Sequence, residues 1–327
     1  MVAPIPISDP AIGNGLAAAG LALYSPRGSE RPWTTGVGGL YTDSKSWAAF
    51  AGQKAYLDRD RFRVTAGGGG GVFNVDFYGI GPGAGDRGRS IPIEQKAAGG
   101  LAEALIRVRP HMYAGLEYRI IDMRTTVKLD ELPFEDLEIP GVELRSRTSA
   151  LGLAGEYDTR DSEYQPTRGL YATGMWLQAA EALGGDFDYH RAEFALNGYR
   201  ALGGDATLAW RGSVCSVGAG APFYDLCNFG SQSDLRGYVN GQYRDQAMFA
   251  VQAEYRRPLF WRFGGTVFAG VGEVGPGFGD MNADNLLPAA GVGLRFKASE
   301  EYGVNIRLDY AWGKDSEAFY VSIGEAF

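Results

Sequence analysis

The sequence predicts an all-β protein: a transmembrane antiparallel β-barrel of about 16 strands, filling residues 1–327 as a single domain. Three observations lead there. Apolar and polar residues alternate with a period of two, over segments that often exceed the five or six residues of an ordinary strand. No apolar run approaches the roughly 20 residues that a membrane helix needs, whereas barrel strands alternate and average to neutral hydropathy. Connections alternate between short and long, as expected of periplasmic turns and outer loops. The composition agrees, with 49 glycines, 18 tyrosines, 17 phenylalanines and 6 tryptophans.

Taken in order, the alternating cores lie at 12–25, 33–42, 45–56, 62–79, 90–107, 111–128, 143–158 and 169–182. They continue at 187–201, 205–214, 244–257, 262–274, 288–297, 303–313 and 317–327. That number is odd, and a bacterial single-chain barrel has an even one. "APIPIS" (Ala3–Ser8) supplies the missing first strand, and Asp9-Pro10 marks its turn. Its prolines each remove a ladder donor, which suits an edge. "TAGGGGGVF" interrupts one strand with glycine. Phe62 and Val64 before the run have one parity; Phe73, Val75 and Phe77 after it have the other. A bulge there would reconcile them.

The clearest amphipathic strands fix the two wall faces. Ala247, Phe249, Val251, Ala253 and Tyr255 share one face, opposite Met248, Gln252, Glu254 and Arg256. Ile306, Leu308, Tyr310 and Trp312 lie opposite Arg307 and Asp309. The apolar faces would meet lipid and the polar ones the lumen. Short connections fall at 57–60 and 109–111, and long ones at 80–91 and 127–142. By this parity the N-terminus is periplasmic. The stretch "SDLRGYVNGQYRD" (Ser233–Asp245) then lies in an outer loop. One long connection, Asp158–Gly169, falls on the periplasmic side against the rule.

Net charge is −8, with no basic stripe to track phosphates, so nucleic acid is excluded as a partner. "MVAPIPISDP" lacks the charged and apolar regions of a signal peptide, so it reads as a mature or trimmed start. Cys215 and Cys227 flank "SVGAGAPFYDL". They are a candidate disulfide in an oxidising envelope, the other reading being two thiols. His111 and His190 are the only histidines and no metal-ligand spacing occurs, so no metal and no cofactor is expected. No spacing suggests a catalytic triad. "DELPFEDLEIPGVE" reads as a solvated acidic outer loop, or a binding loop.

"YDTRDSEYQPTRGLYATG" carries a resemblance. Asp158, Arg160, Asp161, Pro166, Thr167 and Gly169 match the periplasmic turn of the BamA/TamA-like barrels, the bacterial surface antigen superfamily. Three strands follow, then a long loop with an Arg-Gly-aromatic triplet, here Arg236, Gly237 and Tyr238, then five strands ending in an aromatic, Phe327. The resemblance implies that this outer loop folds into the lumen and that Arg236 docks on an acidic wall residue. The family's aspartate on the second strand after the loop is here Gly270, so the candidate partners are Glu254, then Asp309. It also implies an outer-membrane location and an assembly or translocation role. Such a barrel inserts or exports proteins or lipids through a weak seam between first and last strands. Its partners would be outer-membrane lipid, unfolded outer-membrane or exported polypeptides, and a periplasmic protein or a second copy. The chain is expected to represent a branch lacking POTRA domains, or a trimmed chain, and not to be an enzyme. The alternatives are a passive channel and an envelope enzyme.

Overall fold

The structure is a computed structural model that describes residues 2–9, 11–26, 29, 31–128, 143–230, 233–299 and 304–327. The acidic tract at 130–143 lies almost wholly outside the described residues. Sixteen strands form one antiparallel sheet in chain order. They are β1 (Val2–Asp9), β2 (Gly13–Tyr24), β3 (Trp33–Thr42), β4 (Trp47–Leu57), β5 (Phe62–Phe77), β6 (Ile91–Arg109), β7 (Met112–Val127) and β8 (Glu143–Asp158). Then come β9 (Gly169–Ala179), β10 (Tyr189–Ala201), β11 (Thr207–Val217), β14 (Ala247–Phe260), β15 (Phe263–Gly275), β16 (Leu287–Ser299), β17 (Val304–Gly313) and β18 (Ser316–Ile323). Two-residue strands β12 (Cys227–Asn228) and β13 (Arg244–Asp245) pair inside the long connection between β11 and β14. A short helix, α1 (Pro82–Asp86), lies between β5 and β6.

Alternation explains the wall. Leu16, Phe50, Leu116, Leu153, Val251 and Val267 are exposed on its outer face, while Gln252, Glu254 and Asp309 are buried on the inner one. Among the described residues no helix is long and apolar enough to cross a membrane; the strands cross instead.

The glycine run contains no bulge. β5 pairs with β4 and with β6 in unbroken register, including Gly68 with Gly100 and Gly69 with Gly99. A Cβ on Gly71 would sit 2.1 Å from the Trp47 carbonyl oxygen, so glycine permits the close strand approach. The apolar face switches for another reason: the outer half of the lumen is filled by protein. Phe77 points inward and packs edge-on against Phe223, with ring centroids 5.2 Å apart. The filling is the 218–246 connection, whose Leu226, Phe229, Leu235, Tyr238 and Tyr243 form the largest buried cluster with Met248, Val274 and Leu287 of the wall.

β1 and β18 are the two edges of the sheet and lie beside each other, and no ladder joins them among the described residues. β1 pairs with β2 without interruption from Val2 to Asp9. An unbroken antiparallel ladder requires its hydrogen-bonded positions to donate, so Pro4 and Pro6 must occupy the alternate positions. Their missing N–H groups therefore face β18. The last strand also ends earlier than expected. β18 stops at Ile323, Gly324 turns with φ +88°, and residues 325–327 leave the wall. Phe327 is thus not at the seam.

Candidate functional site in the barrel lumen

Cys215 sits on the wall, on β11, and is joined by a disulfide to Cys227. The loop is thereby tied to the wall at its start. A second tie follows. Asp225 accepts hydrogen bonds from Arg119 at 2.8 and 3.0 Å and from the Tyr189 hydroxyl, and pairs with Arg191 at 3.5 Å. Arg211 then holds Asp234 at 3.1 Å.

The triplet comes next. Arg236 is fully buried. Its guanidinium donates to Asp309 through Nη1, to Glu254 through Nη2, and to Gln252 through Nε at 3.3 Å. It also lies flat over the Phe268 ring, 3.5 Å from the centroid. Such a fork suits guanidinium, not ammonium. Both candidate carboxylates therefore meet Arg236. Gly270, where the family pattern has aspartate, leaves room for the loop: a Cβ there would lie 2.9 Å from Leu235 Cδ1. Gly237 has φ +115°, and a Cβ on it would fall 2.9 Å from the Trp312 carbonyl, so only glycine fits. Its N–H donates to the Tyr320 hydroxyl at 3.1 Å, and its carbonyl accepts from Ser316. The Tyr238 hydroxyl donates to the Pro288 carbonyl and accepts from the Lys314 amide at 2.9 Å. The triplet thus straps the loop to β16–β18, next to the seam.

The two carboxylates are shared. Arg295 donates to Asp309 and to Glu254, the latter at 3.4 Å, and Arg256 donates to Glu254 at 2.8 Å. Arg295 also binds Glu325 at 2.9 Å, and the Asn305 amide donates to Glu325 at 2.6 Å. Arg256 reaches the Phe327 carbonyl at 3.0 Å. Burial pushes the Glu325 carboxyl up, but the Arg256 and Arg295 charges outweigh it and hold it below the usual range. The in-turned tail is therefore clamped into the network that holds the loop.

The periplasmic turn forms a separate unit below. Arg160 pairs with Asp158 at 3.0 and 3.2 Å and lies over Tyr171, 3.7 Å from the centroid. Asp161 accepts from the Thr167 and Arg168 amides at 2.9 and 3.2 Å and from the Thr167 hydroxyl. Burial raises the Asp161 carboxyl, but these bonds prevail and keep it below its ordinary value. Pro166 lies within the turn, and Gly169 closes it with φ +104°. Glu163 pairs with Lys54 on β4 at 3.3 Å, so the turn reaches across the lumen. Between turn and loop remains a chamber of about 560 Å³. Glu103, Glu117, Glu193, Lys54, Arg191 and Arg211 line it.

Sequence reasoning missed Asp225, Arg295 and Glu325. Arg295 had a signal, since it shares the inner parity of its strand. Asp225 had none: it lies in an irregular stretch with no periodicity to orient it. Glu325 was hidden because the tail alternates like a continuing strand.

The fold and its lumen define a class, an antiparallel barrel with strands in chain order, plugged by its own outer loop. The chain belongs to the Omp85 superfamily, whose domain matches residues 112–327. It is an outer-membrane barrel of a family that inserts and translocates proteins. Two solved structures share the fold. One is BamA from Haemophilus ducreyi lacking POTRA domains 1–3, with TM-score 0.65, 12% identity, and coverage of 99% of this chain and 70% of that one. The other is CdiB from Acinetobacter baumannii, with TM-score 0.61, 12% identity, and coverage of 98% of this chain and 58% of that one. No curated protein matches at the level of sequence.

Proposed function

We propose that this barrel inserts or exports polypeptides by opening between β1 and β18, with the Arg236 strap holding the loop against the strands that must move. The observation that carries the reading is the seam. Two edges lie side by side without a ladder among the described residues, and β1 presents two missing donors to its neighbour. Every interior pair, by contrast, has a ladder. Opening here breaks fewer hydrogen bonds than opening anywhere else in the wall. Arg236, Gly237 and Tyr238 act in this reading as a positioning element, and the Asp158–Gly169 turn as a brace for the periplasmic mouth. An unfolded polypeptide is the substrate, and no catalytic step is assigned. A passive channel is less well supported, because the loop and the turn occupy the lumen on both sides of the chamber.

Cysteine pairs scanned between β1 and β18 test it, the native cysteines being already paired. A crosslinked seam should abolish insertion of a model barrel protein, or secretion of an exported one, while heat-modifiable folding persists. Full activity of the crosslinked barrel rejects the proposal. Wild type given the same oxidant is the control.

A further inference from the structure

We infer that the Cys215–Cys227 disulfide is made before the barrel closes, by exchange with a disulfide oxidant of the periplasm, and that it commits the 218–246 connection to the lumen. The wall fixes the base of that connection. Ser216 pairs with Ala247, and the Val217 amide donates to the Gln246 carbonyl at 2.7 Å. Above such a base a long connection can turn to either side of the sheet. The disulfide removes that choice. Arg211, Ser213 and Cys215 share one parity of β11 and all line the chamber, so Cys215 faces the lumen. Cys227 lies beyond the end of β11, and its bond to Cys215 brings the first leg of the connection back against the inner face of that strand.

Burial sets the order of events. Cys227 has no exposed surface, and Cys215 only 3% although it borders the chamber. Both belong to the cluster that Phe229, Leu235, Tyr238 and Tyr243 of the connection build with Met248 of the wall. Thiol–disulfide exchange requires a third sulfur to reach one of the two, and a docked connection leaves it no path. In the unfolded chain both thiols meet solvent. They are 12 residues apart, a short loop to close, and no other cysteine competes for either.

In the exchange, one cysteine thiolate attacks the oxidant's disulfide and forms a mixed disulfide. The second thiolate then displaces the oxidant. One S–S bond forms in this chain and one breaks in the oxidant, which leaves as two thiols carrying the two electrons and two protons. The product is a chain whose first leg of plug is already tied to the inner side of β11 when the strands on either side of it pair. Neither step involves cargo, so the inference is independent of what the barrel inserts or exports.

The test changes only the order of two additions. Reduced chain in urea is given oxidised glutathione and then folded into detergent micelles, or is folded first and then given the oxidant. Mass spectrometry after alkylation counts the thiols that remain, and heat-modifiable mobility selects folded barrels. Oxidation should be roughly a hundredfold slower in the folded chain than in urea. Barrels folded in the reduced form should also be cut more readily within residues 218–246 by protease. Equal rates in the two orders, or equal cleavage, overturn the inference. Reduction of the finished barrel by dithiothreitol decides the matter if the reduced chain does not fold. Wild type should resist, and Gly237→Ala, which loosens docking without touching either cysteine, should be reduced at least about tenfold faster. A wild-type disulfide reduced as fast as in urea, or a Gly237→Ala barrel as resistant as wild type, overturns it too.

Discussion

Glu254 should matter more to the stability of this barrel than Arg236, although Arg236 is the residue of the motif. Four guanidiniums, from Arg236, Arg256, Arg295 and Arg307, surround three carboxylates, from Glu254, Asp309 and Glu325. Arg236→Ala leaves equal numbers, and each carboxylate keeps a cation: Glu254 keeps Arg256 at 2.8 Å, and Asp309 keeps Arg295. Glu254→Ala leaves four cations facing two anions in the buried part of the lumen. Breaking a buried pair costs about 3–5 kcal/mol. Arg236→Ala should fall at the lower end, about 3 kcal/mol, and Glu254→Ala at or above the upper end. At about 2 °C per kcal/mol for a chain of this size, the midpoints of heat-modifiable mobility should fall by roughly 6 and 10 °C. The double variant should lose less than the two changes added, because they share one ion pair. Limited proteolysis of residues 233–245 gives the second readout, and here Arg236→Ala should show the larger effect. Equal loss of stability in the two single variants would refute the charge argument, and so would a neutral Glu254→Ala.

Other outcomes follow from the same geometry. Cys215→Ser with Cys227→Ser should cost about 3 kcal/mol by freeing a short covalent loop, and should expose residues 218–246 to protease while Arg236 still holds the tip. Gly237→Ala should disrupt docking as strongly as Arg236→Ala, because its φ of +115° and the Trp312 carbonyl leave no room for a methyl group; the same proteolysis assay checks it. Asp161 is held below its ordinary value of 3.8, so it contributes stability fully above that pH and loses it as pH falls through the lower folded value. The acid-side fall in the heat-shift midpoint should shrink in Asp161→Asn.

Much of the wall was legible because a barrel strand needs only period two. The parity that put Val251 outside put Glu254 inside, and the same rule placed Asp309 on the inner face of the penultimate strand. The pairing of both with Arg236 is a tertiary fact that parity alone leaves open. Where the reading went astray, a local pattern was overruled by what fills the lumen. Phe73, Val75 and Phe77 looked like a register shift because an inward aromatic face is unusual in a water-filled barrel. The docked loop makes Phe77 on that face a packing surface, against Phe223. Residues 324–327 looked like strand because nothing local marks Gly324 as a turn. Only the cations of β14 and β16 explain why the tail leaves the wall.

The strands differ widely in length, and the difference sets the height of the protein around its circumference. β1 and β18 have 8 residues each, whereas β5 to β8 have 16, 19, 16 and 16. At about 3.4 Å per residue and a tilt near 40°, eight residues rise only about 20 Å, and nineteen rise about 50 Å. The apolar band of such barrels is about 25 Å tall. On the far side the wall therefore stands well clear of the hydrocarbon on both faces. Beside β18 it is too short to span it, and lipid there must compress to meet the protein. Compressed lipid is already partly disordered, so a strand crossing at that point has less bilayer to displace than one crossing anywhere else on the perimeter.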